Sequence, residues 1–369
     1  MFLGTNGAPA TGGQYTNVPS ARVTQEPPFL TLDAAGNYGV QVPAVRRDSV
    51  GPSYGGGETL PLDRFFIASP DTPVAAINAA LGRGKNLILT PGVYALPQPI
   101  EVTRPFTVVL GLGFATLVPT AGNAALETKS VPGIKISGLI VDAGPVSSPV
   151  LMRVGDRVGA GTSDPDDPTL LADVFFRIGG ATPGKAVTSL VVNADNAILD
   201  DIWAWRADHG AGVGWTDNTA DTGLVVNGDD VSAYGLFVEH YQKSEVIWNG
   251  QNGEDVFFQN EMPYDPPSQA AWMESPTILG YPAFLVSPDV TSFQGYGMGS
   301  YSFFDQGVDI YATQAFQAPT LPGVQFHDLL TVFLDAVNGK GGILSVIDGV
   351  GGSSTAANAD QPVDVPQYP

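Results

Sequence analysis

Short apolar runs recur along the middle of this chain, each bounded by Gly, Asn or Asp. They are FTVVLGLGFATLVP, GIKISGLIVDAG, SLVVNADNAILDDIWAWRAD, TGLVVNGDDVSAYGLFVEHY and EDVFFQNEMPY, about 20 residues apart where no insertion intervenes. Runs of this composition between turn residues are typical of β-strands. A β-sandwich has similar strands, but it does not favour the recurrent phrase N-x-D-x-apolar-x-x-apolar. The pattern therefore predicts an all-β chain that folds as a parallel β-helix, in which each coil stacks on the last.

The same pattern predicts the domain boundaries. Residues 1–65 are rich in Gly, Pro and Thr, with one strand candidate in PFLTLDAAGNYGVQVP, and are predicted to form an extended lead-in. Residues 66–369 are predicted to form a single β-helix domain. Asp71 or Thr72 can cap a short helix that has Pro73 in its first turn and ends at Gly82 or Gly84. Such a helix would cover the open end of the stack. Residues 145–188, which include DPDDP, break the period and are predicted to be a long insertion.

Composition and charge exclude several classes of function. The chain has 45 Gly, 31 Pro and a formal net charge of −21, so nucleic acid and anionic lipid are not expected as main partners. It contains no Cys and no run of 18 apolar residues, which excludes thiol chemistry and a predicted transmembrane helix. The N-terminus lacks the basic and apolar regions of a signal peptide. We therefore expect a cytosolic protein or a chain that starts downstream of its true beginning.

Four runs align to give a predicted outward-facing column. Alternate residues of a strand face opposite sides, so an inward first residue places the fourth residue outward. The inward residues are Leu139, Ile202, Leu236 and Phe258; the outward column is Asp142, Trp205, Glu239 and Glu261. Two positions earlier on the same face are Ile140, Trp203, Phe237 and Gln259. Glu239 and Glu261 are 22 residues apart, which corresponds to one coil, so they are the firmest predicted neighbours.

This column suggests chemistry on a carbohydrate. Parallel strands lie about 4.8 Å apart, so two carboxylates in one column cannot both ionise easily and the pKa of one rises. General acid catalysis at a glycosidic oxygen requires a carboxyl that stays protonated near neutral pH. Flat faces for sugar rings are predicted from Trp203, Trp205, Phe237, Tyr241 and Tyr264, and hydroxyl partners from Gln259, Asn260 and Asn249. The two glutamates are equally compatible with solvated positions on an exposed β-face.

Other motifs indicate no cofactor and no metal. His209, His240 and His327 lack metal-ligand spacing, and DPDDP lacks the phased ligands of a calcium loop. The stretch GLGFATL has no phosphate-loop lysine, and no GxSxG motif occurs. His240 follows Glu239 directly, so it is expected to point to the opposite side unless the strand ends there.

The run VEHYQKSEVIWNG followed by FFQNEMPYDPP resembles the C-terminal half of glycoside hydrolase family 55. FLTLDAAGNYGV, AALGRGKNLILTPGVY, VVLGLGFATL, WAWRADHG and GVGWTDNTADTGLVVNG are similar too, so the resemblance extends from about residue 25 to the end. It implies two right-handed, pectin-lyase-like β-helical domains with an active site between them, and a secreted, inverting exo-β-1,3-glucanase. It also implies that Glu261, in the phrase Q-x-E-x-P-Y, is the general acid, that Glu239 is in the active site, and that Asp208 contributes to a β-glucan site.

Family members are about twice as long, and their preceding β-helical half has no counterpart here. The resemblance implies that residues of that half, a possible partner for this chain, position the hydrolytic water. Carboxyls on adjacent strands would lie near the roughly 5 Å separation of retaining enzymes, not the 6.5–9.5 Å of inverting ones. Glu239 is therefore expected to bind the sugar or to raise the pKa of Glu261 rather than act as the base.

Two other functions remain open. The first is a non-catalytic carbohydrate-binding or structural β-helix that needs a partner half. The second is a polysaccharide lyase, which needs cations to neutralise a uronate substrate. Near the column the sequence offers only Arg206 and Lys243, and the chain is strongly acidic, which disfavours a lyase.

Overall fold

The computed structural model describes residues 2–5, 16–337 and 339–369. The first residue and residues 6–15 of the predicted lead-in lie outside the described residues. The segment before residue 65 forms short strands that pair with one another: β1 (Phe2–Leu3), β2 (Asn17–Val18), β3 (Ala21–Thr24), β4 (Phe29–Leu32), β5 (Tyr38–Val42), β6 (Arg46–Ser49) and β7 (Glu58–Pro61). A 3₁₀ turn follows at Leu62–Arg64.

The strand candidate PFLTLDAAGNYGVQVP forms a hairpin, with β4 antiparallel to β5. The carboxylate of Asp33 accepts hydrogen bonds from the backbone N–H groups of Ala35 and Asn37, at 2.9 and 2.8 Å. Gly36, at φ 85°, takes the left-handed conformation that the turn requires. Local turn chemistry therefore divides this run into two strands.

The middle of the chain alternates between two sheets. Its elements are β8 (Phe65–Ala68), α1 (Val74–Gly82), β9 (Asn86–Leu89), β10 (Val93–Leu96), β11 (Ile100–Val102), β12 (Val108–Pro119), β13 (Leu126–Thr128), β14 (Lys135–Asp142), β15 (Ser148–Val154), β16 (Thr169–Ile178), β17 (Ala186–Val192), β18 (Ala197–Arg206), β19 (Thr222–Val226), β20 (Ser232–Glu239), β21 (Val246–Trp248) and β22 (Gly253–Glu261). From β12 to β22, even-numbered strands join the large sheet and odd-numbered strands join the small one.

The alternation continues towards the C-terminus with shorter strands between the main ones. A 3₁₀ turn occupies Gln269–Ala271 and another Ala356–Asn358. The strands are β23 (Met273–Ser275), β24 (Ile278–Leu279), β25 (Phe284–Val286), β26 (Phe293–Ser302), β27 (Tyr311–Ala312), β28 (Phe316–Gln317), β29 (Val324–Phe333), β30 (Gly342–Ile343), β31 (Ser354–Thr355) and β32 (Val363–Tyr368).

Among the described residues, twelve strands form the large sheet and eight form the small one. Within both sheets neighbours follow chain order and pair in parallel, except for β32, which pairs antiparallel with β29. We call one large-sheet strand with the small-sheet strand that follows it a rung. One cluster of buried apolar side chains lies between the sheets and extends from Ala68 to Tyr368. The predicted all-β architecture of stacked parallel strands is therefore present.

A column of left-handed residues bends the large sheet. In seven successive large-sheet strands the residue at the bend has a positive φ, and the register places these residues side by side: Gly138, Asp173, Asp201, Gly235, Phe257, Gly297 and Asp328. After each bend, side chains again alternate between inward and outward positions. The first residue after the bend points inward, and in the four aligned runs it is Leu139, Ile202, Leu236 or Phe258. The four aligned runs begin at these residues, which is why their outward positions were predicted correctly within each run.

The predicted insertion at 145–188 is wrong in most of its length. β15 pairs with β13 and β17, and β16 pairs with β14 and β18, so both strands belong to the stack. Only residues 155–168 leave it. The Pro and Asp residues of this excursion lie in a long connection between β15 and β16. This connection hides the regular spacing of the strands in the sequence, although no strand is missing from the stack.

Helix α1 covers the first end of the stack with Ile77 and Leu81 buried in the core. It begins one or two residues later than predicted: Pro73 is the N-cap, no side chain caps the helix, and the Thr72 hydroxyl accepts the Ser69 N–H instead. Gly84, at φ 89°, terminates it. None of the described helices is long and apolar enough to cross a membrane.

The N-terminal strands pack on the outer face of the large sheet. Val40 joins a small cluster with Ile88, Val108 and Leu110, and Val23 joins another with Leu170 and Ile198. The described residues before 65 therefore share their buried surface with the stack and leave the carboxyl ends of β18, β20 and β22 uncovered by these clusters.

Candidate active site

Glu239 and Glu261 end two neighbouring strands on the outer face of the large sheet. Phe237 pairs with Gln259, so the glutamates two residues further along lie on the same face of β20 and β22. The ladder continues past them, since the His240 N–H donates to the Glu261 carbonyl at 2.7 Å. Both glutamates are half-buried. The sheet register therefore holds two carboxyl groups on adjacent strands.

Two stacked tryptophans lie beside these carboxyls. Trp205 pairs with Glu239 in the register, and the Trp203 and Trp205 rings stack with centroids 5.3 Å apart and planes inclined by 17°. Trp203 Nε1 donates to Glu239 Oε2 at 2.8 Å, and Trp205 Nε1 donates to Asp208 Oδ1 at 3.3 Å. Flat ring faces and carboxylates thus occupy one surface, an arrangement that suits the C–H faces and hydroxyls of a sugar.

Glu239 is held in an environment that favours its protonated form. Burial raises the pKa of its carboxyl, and the negative charges of Glu261 and Asp208 raise it further. Hydrogen bonds from Trp203 and Gln259 oppose this shift without cancelling it. Burial and, after it, like-charge proximity therefore raise the pKa of Glu239, whereas the sequence suggested that Glu239 would raise the pKa of Glu261.

Glu261 has different surroundings. The Tyr264 hydroxyl donates a hydrogen bond to Oε2 of Glu261, and the Glu261 side chain is 29% exposed. Burial, and to a smaller extent this hydrogen bond, raises the pKa of Tyr264. The Glu261 side chain is therefore held by Tyr264 and is still partly exposed.

His240 lies beneath the two strand ends because β20 stops at Glu239. Its φ of 66° turns the chain, so the ring packs edge-on against Tyr264 with centroids 4.4 Å apart. Nε2 lies 3.6 Å from Glu261 Oε2 and 3.8 Å from Asp208 Oδ1. His240 was not assigned to the site from the sequence, although its adjacency to Glu239 at a strand end was the signal.

A buried arginine supports the whole arrangement. The Arg206 side chain is 1% exposed and forms an ion pair with Asp265, with Nη2 2.8 Å from Oδ2. Nη1 donates to the His240 carbonyl at 3.0 Å, and Nε donates to the Asn218 carbonyl at 2.9 Å. This side chain therefore fixes the turn after Glu239 to the segment after Glu261. From the sequence, Arg206 was identified only as a cation near the column.

Three predicted sugar contacts are wrong. Tyr241 is fully buried in the core and bonds Ser189 through its hydroxyl at 2.6 Å, because the left-handed His240 turns the next residue inward. Asn260 is buried and donates to the Val238 carbonyl. Asn249 belongs to a ladder on the small sheet, where its side-chain amide donates to Asn227 Oδ1 at 2.7 Å.

Asp142 does not neighbour Trp205. The intervening strand β16 places Arg177 between them, and the Arg177 guanidinium binds both carboxylate oxygens of Asp142, at 2.6 and 2.8 Å. Asp142 is 6% exposed and is occupied by this pair. The error follows from the rung that was mistaken for an insertion. The remaining predicted site residues are grouped around Glu239 and Glu261 as expected from the sequence: Trp203, Trp205, Phe237, Gln259, Tyr264 and Asp208.

The described side chains offer no metal site here. In residues 2–5, 16–337 and 339–369, no group of three or more His, Asp and Glu residues is arranged to hold a metal ion. The chemistry of the site rests on carboxyls, one imidazole and aromatic rings.

Comparisons with known proteins give consistent results. The sequence profile described as "LAM55 pectate lyase-like domain" matches residues 65–261. An exo-beta-1,3-glucanase of Streptomyces sp. (strain SirexAA-E / ActE) is 48% identical over 375 residues, an alignment that covers 100% of this chain and 61% of that protein. The chain therefore spans about three fifths of the length of this curated relative.

Two solved structures match the whole chain. The structure of sacteLam55A from Streptomyces sp. SirexAA-E superposes with a TM-score of 0.93 at 47% identity, covering 100% of this chain and 67% of that one. A variant of sacteLam55A with one glutamate replaced by alanine, in complex with glucose, superposes with a TM-score of 0.94 at the same identity and coverage. Both solved structures therefore have the same fold as the described residues of this chain.

Proposed function

This chain belongs to the family of LAM55 pectate lyase-like domains, and from that premise we propose that it is a glycoside hydrolase module acting on β-1,3-glucan. We infer further that its rungs form a right-handed parallel β-helix, the hand that nearly all parallel crossover connections take. The observation that carries the function is the pairing of Glu239 and Glu261 on adjacent strands beside the stacked Trp203 and Trp205. A relative is named as an exo-beta-1,3-glucanase, and a related structure contains glucose, which supports this substrate class.

In the proposed reaction Glu261 is the general acid. Its carboxyl gives a proton to the glycosidic oxygen as the bond to the anomeric carbon breaks, and the leaving chain departs as an alcohol. The accessible position of Glu261 and its hydrogen bond from Tyr264 support this role. Tyr264 holds the carboxyl in one orientation towards the outer face.

Glu239 binds the sugar in this proposal. Its raised pKa and the hydrogen bond that it accepts from Trp203 support a role as a hydrogen-bond partner of a sugar hydroxyl. Adjacent strands bring the two carboxyls closer than an inverting enzyme requires between acid and base. We therefore propose that the reaction is exo-acting and inverting, and that the water is held by groups of the parent protein outside this chain.

The length difference supports this last step. This chain spans 61% of the curated relative. We therefore propose that it corresponds to the C-terminal part of a longer protein, and that the remainder of that protein supplies the water-positioning residues. Because polymeric glucan is an external substrate, we also propose that the parent protein acts outside the cell.

The test is glucose release from laminarin, by this chain alone and with the remaining part of the relative supplied in trans. We expect glucose in at least the second condition, and a loss of about 10²–10⁴-fold in Glu261→Gln. Glu101→Gln, an exposed glutamate on the small sheet, is the matched control and should retain full activity. Absence of glucose in both conditions would contradict the proposal, and unchanged activity of Glu261→Gln would contradict the assignment of the acid.

A second candidate is a non-catalytic sugar-binding β-helix that works with a partner half. The partial coverage of the relative favours it. In that case laminari-oligosaccharides would bind to the chain and to Glu261→Gln alike, and neither would release glucose in any condition.

A lyase is less well supported. Arg177 is engaged by Asp142, Arg206 by Asp265, and Lys243 by Asp221 at 2.7 Å, so these three cations in and around the column are occupied. A uronate substrate would then meet mainly carboxylates in this site.

A further inference from the structure

His240 is a buried titratable group that the proposed reaction does not use. Its residue exposure is 2%, and its ring lies beneath the proposed acid. Nδ1 lies 3.2 Å from the Met262 carbonyl, so Nδ1 carries a hydrogen and donates it there. The other ring nitrogen, Nε2, faces Asp208 Oδ1 at 3.8 Å and Glu261 Oε2 at 3.6 Å.

These contacts assign separate roles to the two ring nitrogens. Since Nδ1 is protonated in the neutral ring and in the imidazolium alike, only Nε2 gains or loses a proton. A proton next to Nε2 can lie on the ring or on one of the two facing carboxylates, so the geometry allows the three groups to share it.

The charged groups around the ring act in opposite directions. Burial lowers the pKa of His240, and this is the largest effect, while the Asp208 and Glu261 carboxylates raise it. The Arg206 guanidinium, bonded to the His240 carbonyl, lowers it slightly. Tyr264 covers the ring edge-on. The carboxylates are therefore the partners on which a proton at Nε2 depends.

This inference rests on the proposed function, because a general acid must recover its proton after every turnover. We propose that His240 is a positioning residue that shares one proton with Glu261 and Asp208 through Nε2, and so reprotonates Glu261. In that step the Nε2–H bond breaks, an O–H bond forms at Glu261, and the ring becomes neutral.

A solvent proton then restores Nε2 by way of Asp208. The Asp208 carboxylate contacts Nδ1 of His209 at 2.8 Å, and the His209 side chain is 78% exposed. The net change is one proton taken from solvent for each proton given to the leaving oxygen. The chain of groups leads from solvent to the buried side of Glu261.

Long-range ¹H–¹⁵N NMR of the histidines tests the shared proton without any turnover. The chain has three histidines, and His327, stacked on Tyr296 with centroids 5.0 Å apart, is an internal control. We expect neutral His240 as the Nδ1–H tautomer, and a lower titration midpoint in Glu261→Gln and in Asp208→Asn, because each removes a charge that favours the imidazolium. His327 should not change. An unchanged His240 midpoint in both variants, or a neutral Nε2–H tautomer, would overturn the proposal.

The variant His240→Asn separates positioning from structure. Asn suits the positive φ of this position and can still donate to the Met262 carbonyl, but it has no Nε2. We expect the ratio of glucose release at pH 7.5 to that at pH 5 to fall about tenfold. His327→Asn should leave this ratio unchanged. A uniform loss at every pH would mean a purely structural role. If the wild-type chain releases no glucose, either alone or with the remaining part of the relative, the proposed function fails while the NMR result still decides the shared proton.

Discussion

Individual side chains of the site are set by strand register and by one left-handed residue. Glu239, Glu261, Trp203 and Gln259 could be placed from the sequence because alternation holds within each short run after the bend. Tyr241 could not, because nothing in the sequence signals that His240 has a φ of 66° and turns the following residue into the core. A single left-handed residue changes the direction of the backbone, so the alternation of inward and outward side chains does not predict the positions that follow it.

Trp203 should control the protonation of Glu239 through its indole N–H. In Trp203→Phe the aromatic face remains but the hydrogen bond to Oε2 is lost, so the pKa of Glu239 should rise further. A ¹³C NMR titration of the glutamate carboxyls measures this. Trp205→Phe, which removes a bond to Asp208 instead, is the control. A lower pKa of Glu239 in Trp203→Phe would show that this bond does not stabilise the carboxylate.

The large sheet depends on its column of left-handed residues. Gly235, at φ 68°, has room for a methyl group, since a Cβ at this position would lie 3.9 Å from its nearest neighbours, atoms of Asp201 and Phe237. Gly235→Ala should therefore cost about 1–2 kcal/mol of unfolding free energy from backbone strain alone. Gly82→Ala, at the end of α1 and also unobstructed, should cost nothing or stabilise. Urea denaturation compares them, and equal stabilities would argue against strain at the bend.

The contact between the N-terminal strands and the large sheet should respond to pH. Burial, then repulsion by Glu26, Asp173 and Asp201, raises the pKa of Asp200 to about 7. An acid with a raised folded pKa stabilises fully below its unfolded pKa, and this stability is lost as pH rises from about 4 through 7.

The variant Asp200→Asn should not show this loss of stability as the pH rises from about 4 through 7. Each pKa unit between the folded and unfolded chain is worth about 1.4 kcal/mol, and partial exposure reduces the effect, so we expect on the order of 2 kcal/mol of stabilisation at pH 8. The advantage should shrink towards zero at pH 4. Urea midpoints of wild type, Asp200→Asn and the exposed control Asp364→Asn at both pH values measure this. An equal gain at pH 4 would exclude the titration of Asp200 as its cause.

Strands and the helix could be predicted where turn residues recur at the regular spacing of the stack. They could not be predicted where a long connection interrupts that spacing. Strands β15 and β16 were missed because the excursion at residues 155–168 separates them. That omission removed Arg177 from the column and placed Asp142 next to Trp205 in error. The capping helix was predictable because its Pro and Gly punctuation is local, although the capping residue was not.

Across the whole molecule, stability depends on closing both ends of the stack. At the far end β32 pairs antiparallel with β29 and buries Val365 and Tyr368 in the core. A chain truncated before Val363 would expose the edge of β29, so we expect it to aggregate. Light scattering of the purified proteins tests this, with Asp364→Lys on the full chain as a control that keeps the strand. A monomeric, fully folded truncation would show that β32 does not protect this edge.

The central claim is that one side chain, Glu261, supplies the proton that breaks the glycosidic bond. The most direct measurement compares two substrates, laminarin and a dinitrophenyl β-glucoside whose leaving group needs no proton. Glu261→Gln should lose about 10²–10⁴-fold on laminarin but keep most of its activity on the activated glucoside, whereas Glu239→Gln should lose both because it weakens sugar binding. Equal losses of Glu261→Gln on the two substrates would contradict the account.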